Sequence, residues 1–222
     1  MDRWVEKVAV VTGASSGIGA AIAEKLVENG LHVVALARRK DKLDQLAKKF
    51  VGKKGPVHIL INNAGTGSTG YLTDGESELW NKTVQLNVIG LSIATREAVK
   101  DMKANNVDGH IIHINSILGH QIPSIPGLNI YPATKYAVTA LAETLRLELN
   151  SLKLKIKITS LSPGLVDTEF IPPEIRQMRK KLYEENQIIE PENIADGVIY
   201  VLSTPPHVQI QELMIRPLRD HV

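Results

Sequence analysis

Runs of consecutive apolar residues alternate along the chain with segments in which apolar residues recur every three or four positions. Continuous runs rich in β-branched residues are typical of strands buried on both faces, and the longer spacing is typical of helices that bury one face. The predicted strands are Val8–Val11, His32–Leu36, Val57–Ile61, Ile111–Ile114, Lys155–Leu161 and Leu213–Ile215. The predicted helices are Ile18–Asn29, Asp41–Phe50, a helix that begins near Gly75 to Glu78 and continues past Asn87, Tyr131–Leu149, and about Glu192 to Leu202.

This alternation of strands and helices predicts an α/β fold with a doubly wound parallel sheet. Each predicted strand ends in small or polar residues, and ligands of such sheets bind at the carboxyl ends of the strands. The 222 residues are enough for one such domain, and no shift in composition marks a boundary. We therefore expect residues 1–222 to form a single domain.

The first strand runs directly into a glycine-rich turn and then into a helix, over Lys7 to Gly19 (KVAVVTGASSGIG). Gly13, Gly17 and Gly19 permit a sharp turn and a close approach of the backbone to a ligand. The N-terminus of the following helix offers unpaired N–H groups and a positive dipole end to a pyrophosphate. The turn therefore predicts a dinucleotide cradle; the alternative is that the glycines only make a tight connection between strand and helix.

Basic residues follow the second strand, at the place where an acidic residue would hold the adenosine ribose hydroxyl of NAD(H). Here Ala37 is followed by Arg38 and Arg39. Guanidinium groups at this place can bind a 2′-phosphate, so the sequence favours NADP(H), with NAD(H) as the second choice. The alternative is that the arginines form the solvated start of the next helix.

Four polar residues in the second half of the chain are candidates for proton transfer. Tyr131 and Lys135 lie four apart on one predicted helix and share a face, where a neighbouring ammonium would lower the pKa of the phenol. Ser116 follows a strand end and can hold a substrate oxygen, and Asn87 lies in an apolar helical register, where it can bind a water behind the lysine. Each of these residues also has an ordinary structural explanation. Tyr131 and Lys135 can share a helix face by chance, Ser116 can be a cap, and Asn87 can be a buried amide that hydrogen-bonds with backbone groups.

The composition narrows the class of partner. Lys and Arg number 26 and Asp and Glu 24, for a net charge of +2, and the basic residues are scattered, so no nucleic-acid surface is predicted. Cys is absent, which excludes disulfides and thiolate metal sites, and no metal site is predicted. No apolar stretch approaches the length of a membrane span, and the N-terminus has no signal core. We expect a cytoplasmic protein whose partner is a small molecule.

Together these motifs resemble the short-chain dehydrogenase/reductase family. The order and arrangement match over nearly the whole chain, on Thr12–Gly19 (TGASSGIG), Asn62–Gly65 (NNAG), Asn87, Ser116, Tyr131-x-x-x-Lys135 and Pro163–Gly164. Within the family the chain is most similar to the farnesol dehydrogenases and the dehydrogenase/reductase member 11 group, on runs such as HIIHINSILGH and SPGLVDTEF. The resemblance implies a Rossmann-type sheet and an alcohol–carbonyl oxidoreductase.

The resemblance also implies roles for individual residues. Tyr131 is the expected acid in ketone reduction and base in alcohol oxidation, Lys135 binds the nicotinamide ribose and lowers the pKa of Tyr131, and Ser116 holds the substrate oxygen. Asn87 completes the catalytic tetrad. The implied cofactor contacts are Gly13, Ser15, Ser16, Gly17, Ile18, Gly19, Arg38, Arg39, Asn63, Ala64, Gly65, Tyr131, Lys135, Pro163, Gly164, Leu165, Val166 and Thr168.

Apolar and prolyl residues surround the expected site. They occupy the segment from Ile117 to Ile130 and Phe170 to Pro173, which suits a lipophilic alcohol or ketone such as farnesol or a steroid, although they can also be ordinary core residues. The family commonly pairs through the helices that hold Asn87 and Tyr131, so we expect a homodimer or homotetramer. His113 and His120 are interpreted as structural, because no carboxylate or metal-ligand partner stands near them in sequence.

The chain departs from the family between its second strand and Val57, where the family has two helices and a strand. Here about twenty residues hold one helix, so one edge strand and one helix of the fold are expected to be missing. Either this is a shortened form or its sequence has lost a segment near residues 50–57. Because parallel crossovers are right-handed, the Asp41–Phe50 helix should lie on the face opposite Ile18–Asn29, leaving the latter face thinly covered near strand two. Strand two should be an exposed edge. The shortening also raises an alternative function, a catalytically impaired Rossmann-fold protein that acts by binding a partner.

Overall fold

The computed structural model describes residues 1–38, 55–171 and 188–218. Its centre is a six-stranded sheet in the order β2-β1-β3-β4-β5-β6, in which every neighbouring pair is parallel. The prediction of a doubly wound α/β fold is confirmed. The strands are β1 Val8–Thr12, β2 His32–Leu36, β3 Val57–Asn62, β4 His110–Ile114, β5 Lys157–Pro163 and β6 Glu212–Ile215.

The helices connect these strands at nearly the predicted positions. They are α1 Gly17–Glu28, α2 Ser77–Val84, α3 Leu91–Ala104, α4 Tyr131–Ser151 and α5 Pro191–Ser203. A π-helical turn, Gln85–Gly90, joins α2 to α3 without a break. No helix among the described residues is both long and apolar enough to span a bilayer.

The sheet is covered by helices on both faces. On one face, α1 and α5 pack over β1, β3 and β5 through side chains that include Ile22, Leu26 and Val198. On the other face, α3 and α4 pack over β3, β4 and β5 through Met102 and Leu149. The inner strands are apolar on both sides for this reason, as their continuous apolar runs predict.

Strand β2 lies at the end of the described sheet and is covered unequally on its two faces. Val33 and Ala35 pack into the core beneath α1, whereas Val34 and Leu36, which point to the opposite face, are 45% and 48% exposed. The prediction that the α1 face would be the thinly covered one is therefore wrong, because α1 itself shields that side. The predicted Asp41–Phe50 helix lies outside the described residues, and the single domain over 1–222 with a deletion near 50–57 stays a prediction.

Candidate active site

The glycine turn after β1 is pressed against the segment that follows β3. Gly13 and Gly17 have φ values of +69° and +53°, which side chains other than glycine rarely adopt. A Cβ on Gly13 would lie 2.9 Å from the Cα of Ala64. The backbone N–H of Gly13 donates to the carbonyl of Leu36 at 2.7 Å, so the turn is also attached to the end of β2.

Two polar side chains hold this turn in place. The Thr12 hydroxyl oxygen accepts hydrogen bonds from the backbone N–H groups of Asn63 and Ala64, both at 3.0 Å. The amide of Asn63 donates back to the carbonyls of Thr12 and Gly13 at 3.0 and 3.2 Å. The Asn63 side chain, one of the cofactor contacts that the resemblance implies, thus shapes the turn that would hold the pyrophosphate.

The N-terminus of α1 begins within the same turn. Ser16 occupies the N-cap with extended backbone, and the first turn of the helix contains no acidic residue. This end therefore presents N–H groups and a positive dipole end, the arrangement that binds an anion. A Cβ on Gly17 would lie 3.1 Å from the Thr168 methyl carbon, so the structure brings Thr168 beside the glycine turn.

Ser116 lies at the exit of β4, as the N-cap of a single 3-10 turn, Ile117–Gly119. Its hydroxyl oxygen accepts the backbone N–H of Leu118 at 3.1 Å. Because that bond uses the oxygen as an acceptor, the hydroxyl proton is left to be donated. Ser116 lies beside Tyr131, where its side chain acts to lower the pKa of the phenol.

Tyr131 and Lys135 occupy the first two turns of α4, at the carboxyl edge of the sheet. The Lys135 ammonium lies 5.6 Å from the centroid of the Tyr131 ring and donates to the carbonyl of Ile114 at 2.9 Å. The rings of Tyr131 and Phe170 lie 5.5 Å apart at their centroids. Tyr131, Lys135 and Ser116, predicted separately from the sequence, are therefore brought into one cluster.

Burial determines the proton affinities in this cluster. Desolvation raises the pKa of Tyr131 above its ordinary value of 10.0, and the hydrogen bond with Ser116 opposes that rise. The prediction that Lys135 lowers the pKa of Tyr131 is wrong for the chain by itself, because desolvation of the phenolate dominates. Desolvation also lowers the pKa of Lys135 to about 8.

Asn87 lies within the π-helical turn and is fully committed to hydrogen bonds. Its amide nitrogen donates to the carbonyl of Thr66 at 2.8 Å and to the hydroxyl of Thr134 at 3.0 Å, and its oxygen accepts the N–H of Thr66 at 2.9 Å. Thr134 in turn donates to the carbonyl of Tyr131 at 2.7 Å. Asn87 thus supports the first turn of α4 through Thr134.

The remaining predicted cofactor contacts are divided between two places. Pro163 ends β5, and the N–H of Gly164 donates to the carbonyl of Ile215 at 2.7 Å, which holds this turn against β6. Val166 is buried and forms an isolated parallel bridge with Ile189. Arg38 is exposed beyond the end of β2. Arg39 lies outside the described residues, as do Pro172 and Pro173.

Some threonine and asparagine residues that support the site are not predicted from the sequence. Thr139, one turn beyond Lys135, donates to the carbonyl of Gly119 at 3.0 Å and accepts from the amide of Asn115 at 2.9 Å. These bonds attach the Ser116 turn to α4. The regular spacing of Tyr131, Lys135 and Thr139 at four residues is the one sequence signal that places Thr139 on the same helix face.

His120 has a carboxylate partner that is distant in sequence: its Nε2 lies 3.2 Å from a carboxylate oxygen of Glu212 on β6. This contact joins residues 92 positions apart in sequence, so no local pattern could show it. Among the described residues, no group of three or more His, Asp or Glu side chains is arranged to hold a metal ion.

Comparison with known proteins supports one family. A sequence model of the short chain dehydrogenase family matches residues 7–54 and 43–179. The chain is 43% identical over 249 positions to a farnesol dehydrogenase of Aedes aegypti, covering 99% of both proteins. It is 41% identical over 250 positions to dehydrogenase/reductase SDR family member 11 of Bos taurus, covering 98% of both.

Solved structures agree with these relatives. The closed form of a serine dehydrogenase complexed with NADP+ superposes with a TM-score of 0.85 at 27% identity, covering 97% of this chain and 96% of the other. An alcohol dehydrogenase from the archaeon Thermococcus sibiricus, complexed with 5-hydroxy-NADP, gives a TM-score of 0.82 at 26% identity, with 98% and 99% covered.

The comparisons also bear on the expected deletion. The alignments with the relatives span 249 and 250 positions, more than the 222 residues of this chain, so the relatives contain positions that have no counterpart here. The two stretches matched by the family model overlap at residues 43–54. The continuous match to the family is interrupted there, between β2 and β3.

Proposed function

Because the chain belongs to the short chain dehydrogenase family, a family of oxidoreductases, we propose that it interconverts an alcohol and a carbonyl group by hydride transfer with NADP(H). One observation carries this proposal. Ser116, at the exit of β4, and Tyr131 and Lys135, on α4, form one cluster at the carboxyl edge of the sheet, two strands away from the glycine turn that follows β1.

The glycine turn fits a dinucleotide. Its close packing against Ala64 leaves no room for a Cβ at Gly13, and the first turn of α1 presents N–H groups without a competing carboxylate. Gly13, Ser15, Ser16, Gly17, Ile18 and Gly19 would hold the pyrophosphate, while Pro163, Gly164, Val166 and Thr168 would hold the nicotinamide end. When bound, the reduced cofactor supplies the hydride.

Tyr131 would supply the proton in the direction of ketone reduction. Its hydroxyl donates to the carbonyl oxygen as the carbonyl carbon is reduced, and takes the proton back in alcohol oxidation. Ser116 would orient the same oxygen with the hydroxyl proton that its bond to Leu118 leaves available. The ammonium of Lys135, 5.6 Å from the Tyr131 ring, favours the phenolate that forms when the proton leaves.

Arg38 supports the preference for NADP(H) over NAD(H). It lies two residues beyond Leu36, whose carbonyl accepts the N–H of Gly13, so it follows the point where β2 and the glycine turn meet. Its exposed guanidinium is available there to pair with a 2′-phosphate, as we propose for Arg39. Comparing kcat/KM for NADPH and NADH tests the preference directly; equal values would contradict it.

The substrate that we propose is a lipophilic alcohol or ketone, such as farnesol or a steroid. Phe170 contacts the Tyr131 ring and remains 50% exposed, and Ile122, beyond the Ser116 turn, is 67% exposed. Apolar groups near the reacting hydroxyl favour an apolar substrate. The similarity to a farnesol dehydrogenase supports the isoprenoid choice in particular.

The proposed activity is tested by mixing the chain with NADP+ and farnesol, or with a hydroxysteroid, and following the formation of NADPH. A short hydrophilic alcohol such as glycerol serves as the matched control substrate. Turnover of the lipophilic alcohols that is absent in the Tyr131→Phe variant supports the proposal. Equal turnover of glycerol, or no turnover with any alcohol or ketone, would contradict it.

We also propose that the chain self-associates through α3, α4 and the π-helical turn. Ile89 and Ile93 are 41% and 47% exposed, and on α4 Tyr136 and Leu147 are 41% and 54% exposed. Exposed apolar side chains on the helices that the family uses for pairing support a homodimer or homotetramer. Sedimentation velocity checks this, with an Ile93→Lys variant expected to sediment more slowly than the parent; a monomeric parent at micromolar concentration would refute the proposal.

A second candidate function rests on the interrupted match between β2 and β3. If the missing positions disable the cofactor site, the chain would act only by binding a partner. The Tyr131→Phe variant separates the two functions, because a binding role survives the loss of the hydroxyl and turnover does not.

A further inference from the structure

Three polar side chains from separate parts of the sequence meet beside the site. His120 ends the 3-10 turn that begins at Ser116, Ser162 lies near the end of β5, and Glu212 begins β6. His120 Nε2 lies 3.0 Å from Ser162 Oγ and 3.2 Å from Glu212 Oε1, and Ser162 Oγ donates to Glu212 Oε1 at 2.8 Å. Ser162 is completely buried.

The hydrogen-bond directions fix which nitrogen of His120 carries a proton. The Ser162 hydroxyl gives its proton to Glu212, so its oxygen can only accept from His120. The Glu212 carboxylate is likewise an acceptor. Both contacts therefore require an N–H at Nε2 of His120, a requirement that the neutral imidazole satisfies as well as the charged one.

The cluster connects two of the turns that form the candidate active site. His120 is four residues from Ser116, in a turn closed by its own N–H to the carbonyl of Ile117 at 3.0 Å. Ser162 directly precedes Pro163 and Gly164, the turn that would hold the nicotinamide end. The distance between these two turns is thus set in part by the cluster.

We propose that His120, held by Ser162 and Glu212, is a positioning residue that keeps the Ser116 hydroxyl in reach of Tyr131 and of the substrate oxygen. This inference rests on the proposed function. Thr139 fixes the same turn on its α4 side, by donating to the carbonyl of Gly119. His120 fixes it on the β5 and β6 side, so its loss removes the link between this turn and the Ser162 and Glu212 side chains.

A matched pair of variants tests the inference. His120→Leu removes the N–H donor while keeping an apolar body, and His120→Gln restores an N–H at nearly the same position. We expect His120→Leu to lower kcat about tenfold or more with little change in KM for NADPH, because a displaced Ser116 hydroxyl slows the chemical step while the glycine turn that would hold the pyrophosphate is unchanged. We expect His120→Gln to recover most of kcat.

A second measurement does not depend on turnover. Hydrogen exchange of the Leu118 and Gly119 N–H groups, both of which bond to Ser116, should be faster in His120→Leu and slow again in His120→Gln. Glu212→Leu removes the carboxylate that His120 contacts, so it should have the same effect as His120→Leu. Combining the two substitutions should add little, because they break the same link.

The outcomes separate this inference from the proposed function. Unchanged exchange and unchanged kcat in His120→Leu would overturn it, as would a His120→Gln variant no better than His120→Leu. If the parent protein shows no turnover at all, the proposed function fails, and the exchange measurement alone decides whether His120 holds the Ser116 turn.

Discussion

The inner strands and the edge strand of this sheet differ in how they are buried. Val11 on β1, Ile61 on β3 and Ile112 on β4 are completely buried between helices, whereas Val34 and Leu36 on β2 are 45% and 48% exposed. The proposed catalytic residues lie at the ends of inner strands or on the helices that cover them. The proposed 2′-phosphate contact, Arg38, follows the edge strand.

This difference separates two properties that a short chain can lose independently. The proposed proton transfer depends on the inner region, which holds Ser116, Tyr131 and Lys135. The proposed contact with the adenosine end of the cofactor depends on the edge region, which borders the interrupted match to the family. On this proposal, a shortened chain keeps its chemistry and binds its cofactor more weakly.

The largest effect is expected at Tyr131. Replacing it with phenylalanine removes the only hydroxyl that we assign to proton transfer, so kcat should fall by about 10³-fold. Stabilisation by NADPH in thermal unfolding should persist, because the glycine turn is unchanged. A variant that keeps more than a tenth of the parental kcat would place the acid elsewhere.

Acid should destabilise the fold because two buried histidines, His110 and His113, lie on β4. Burial lowers the pKa of both His110 and His113 from 6.5 to about 3, so the unfolded chain binds protons that the folded chain does not. Their stabilising contribution is complete above pH 6.5 and is lost as the pH falls toward 3, because over this range each imidazole takes up a proton in the unfolded chain before it does so in the folded one.

Urea unfolding at a series of pH values between 7 and 4 measures this loss. His113→Asn, which keeps an acceptor for the amide of Asn62, should reduce the slope by the share of one imidazole. If His113→Asn leaves the slope unchanged, His113 is not buried in the neutral form as described.

The contrast in burial can be measured with one substitution made at two places. Val11→Thr places a hydroxyl in the completely buried layer and should lower the free energy of unfolding by about 1–3 kcal/mol. Val34→Thr makes the same change on the exposed face of β2 and should alter it by less than about 0.5 kcal/mol. Similar losses at both positions, measured by urea unfolding, would show that β2 is covered in solution.

The smallest effect on activity is expected at Arg38. Arg38→Ala should raise KM for NADPH about tenfold, the value of one charge-assisted hydrogen bond, and leave KM for NADH unchanged. The NADH measurement is the internal control for damage to the glycine turn. Equal changes in KM for both cofactors would mean that Arg38 supports the fold of this edge and does not bind the 2′-phosphate.

Much of the fold could be predicted because its signals are local. The strand His32–Leu36 coincides with its prediction, and the helix that begins at Tyr131 differs only at its end, by two residues. Apolar runs and helical spacing are properties of neighbouring residues, and they survive the interruption near residues 43–54. The cluster of Ser116, Tyr131 and Lys135 could be predicted for a related reason, since strand ends and a helix start meet at one edge of a parallel sheet.

Other features depend on neighbours that are distant in sequence. Asn63 belongs to a family motif. Its side-chain amide donates to the carbonyls of Thr12 and Gly13 because β1 and β3 lie side by side. The exposed face of β2 is also not the predicted one. Helix α1 packs over the face that holds Val33 and Ala35, and this contact depends on the tertiary structure.

By itself, the sequence determined the parallel α/β fold, the glycine turn and the Tyr131 and Lys135 pair, since periodicity and spacing express them directly. Only the tertiary structure decided that desolvation raises the pKa of Tyr131 and that His120 meets Glu212 across 92 positions. The reason is physical. Desolvation depends on how much water the whole fold removes around a group, and a long-range hydrogen bond depends on which strands become neighbours.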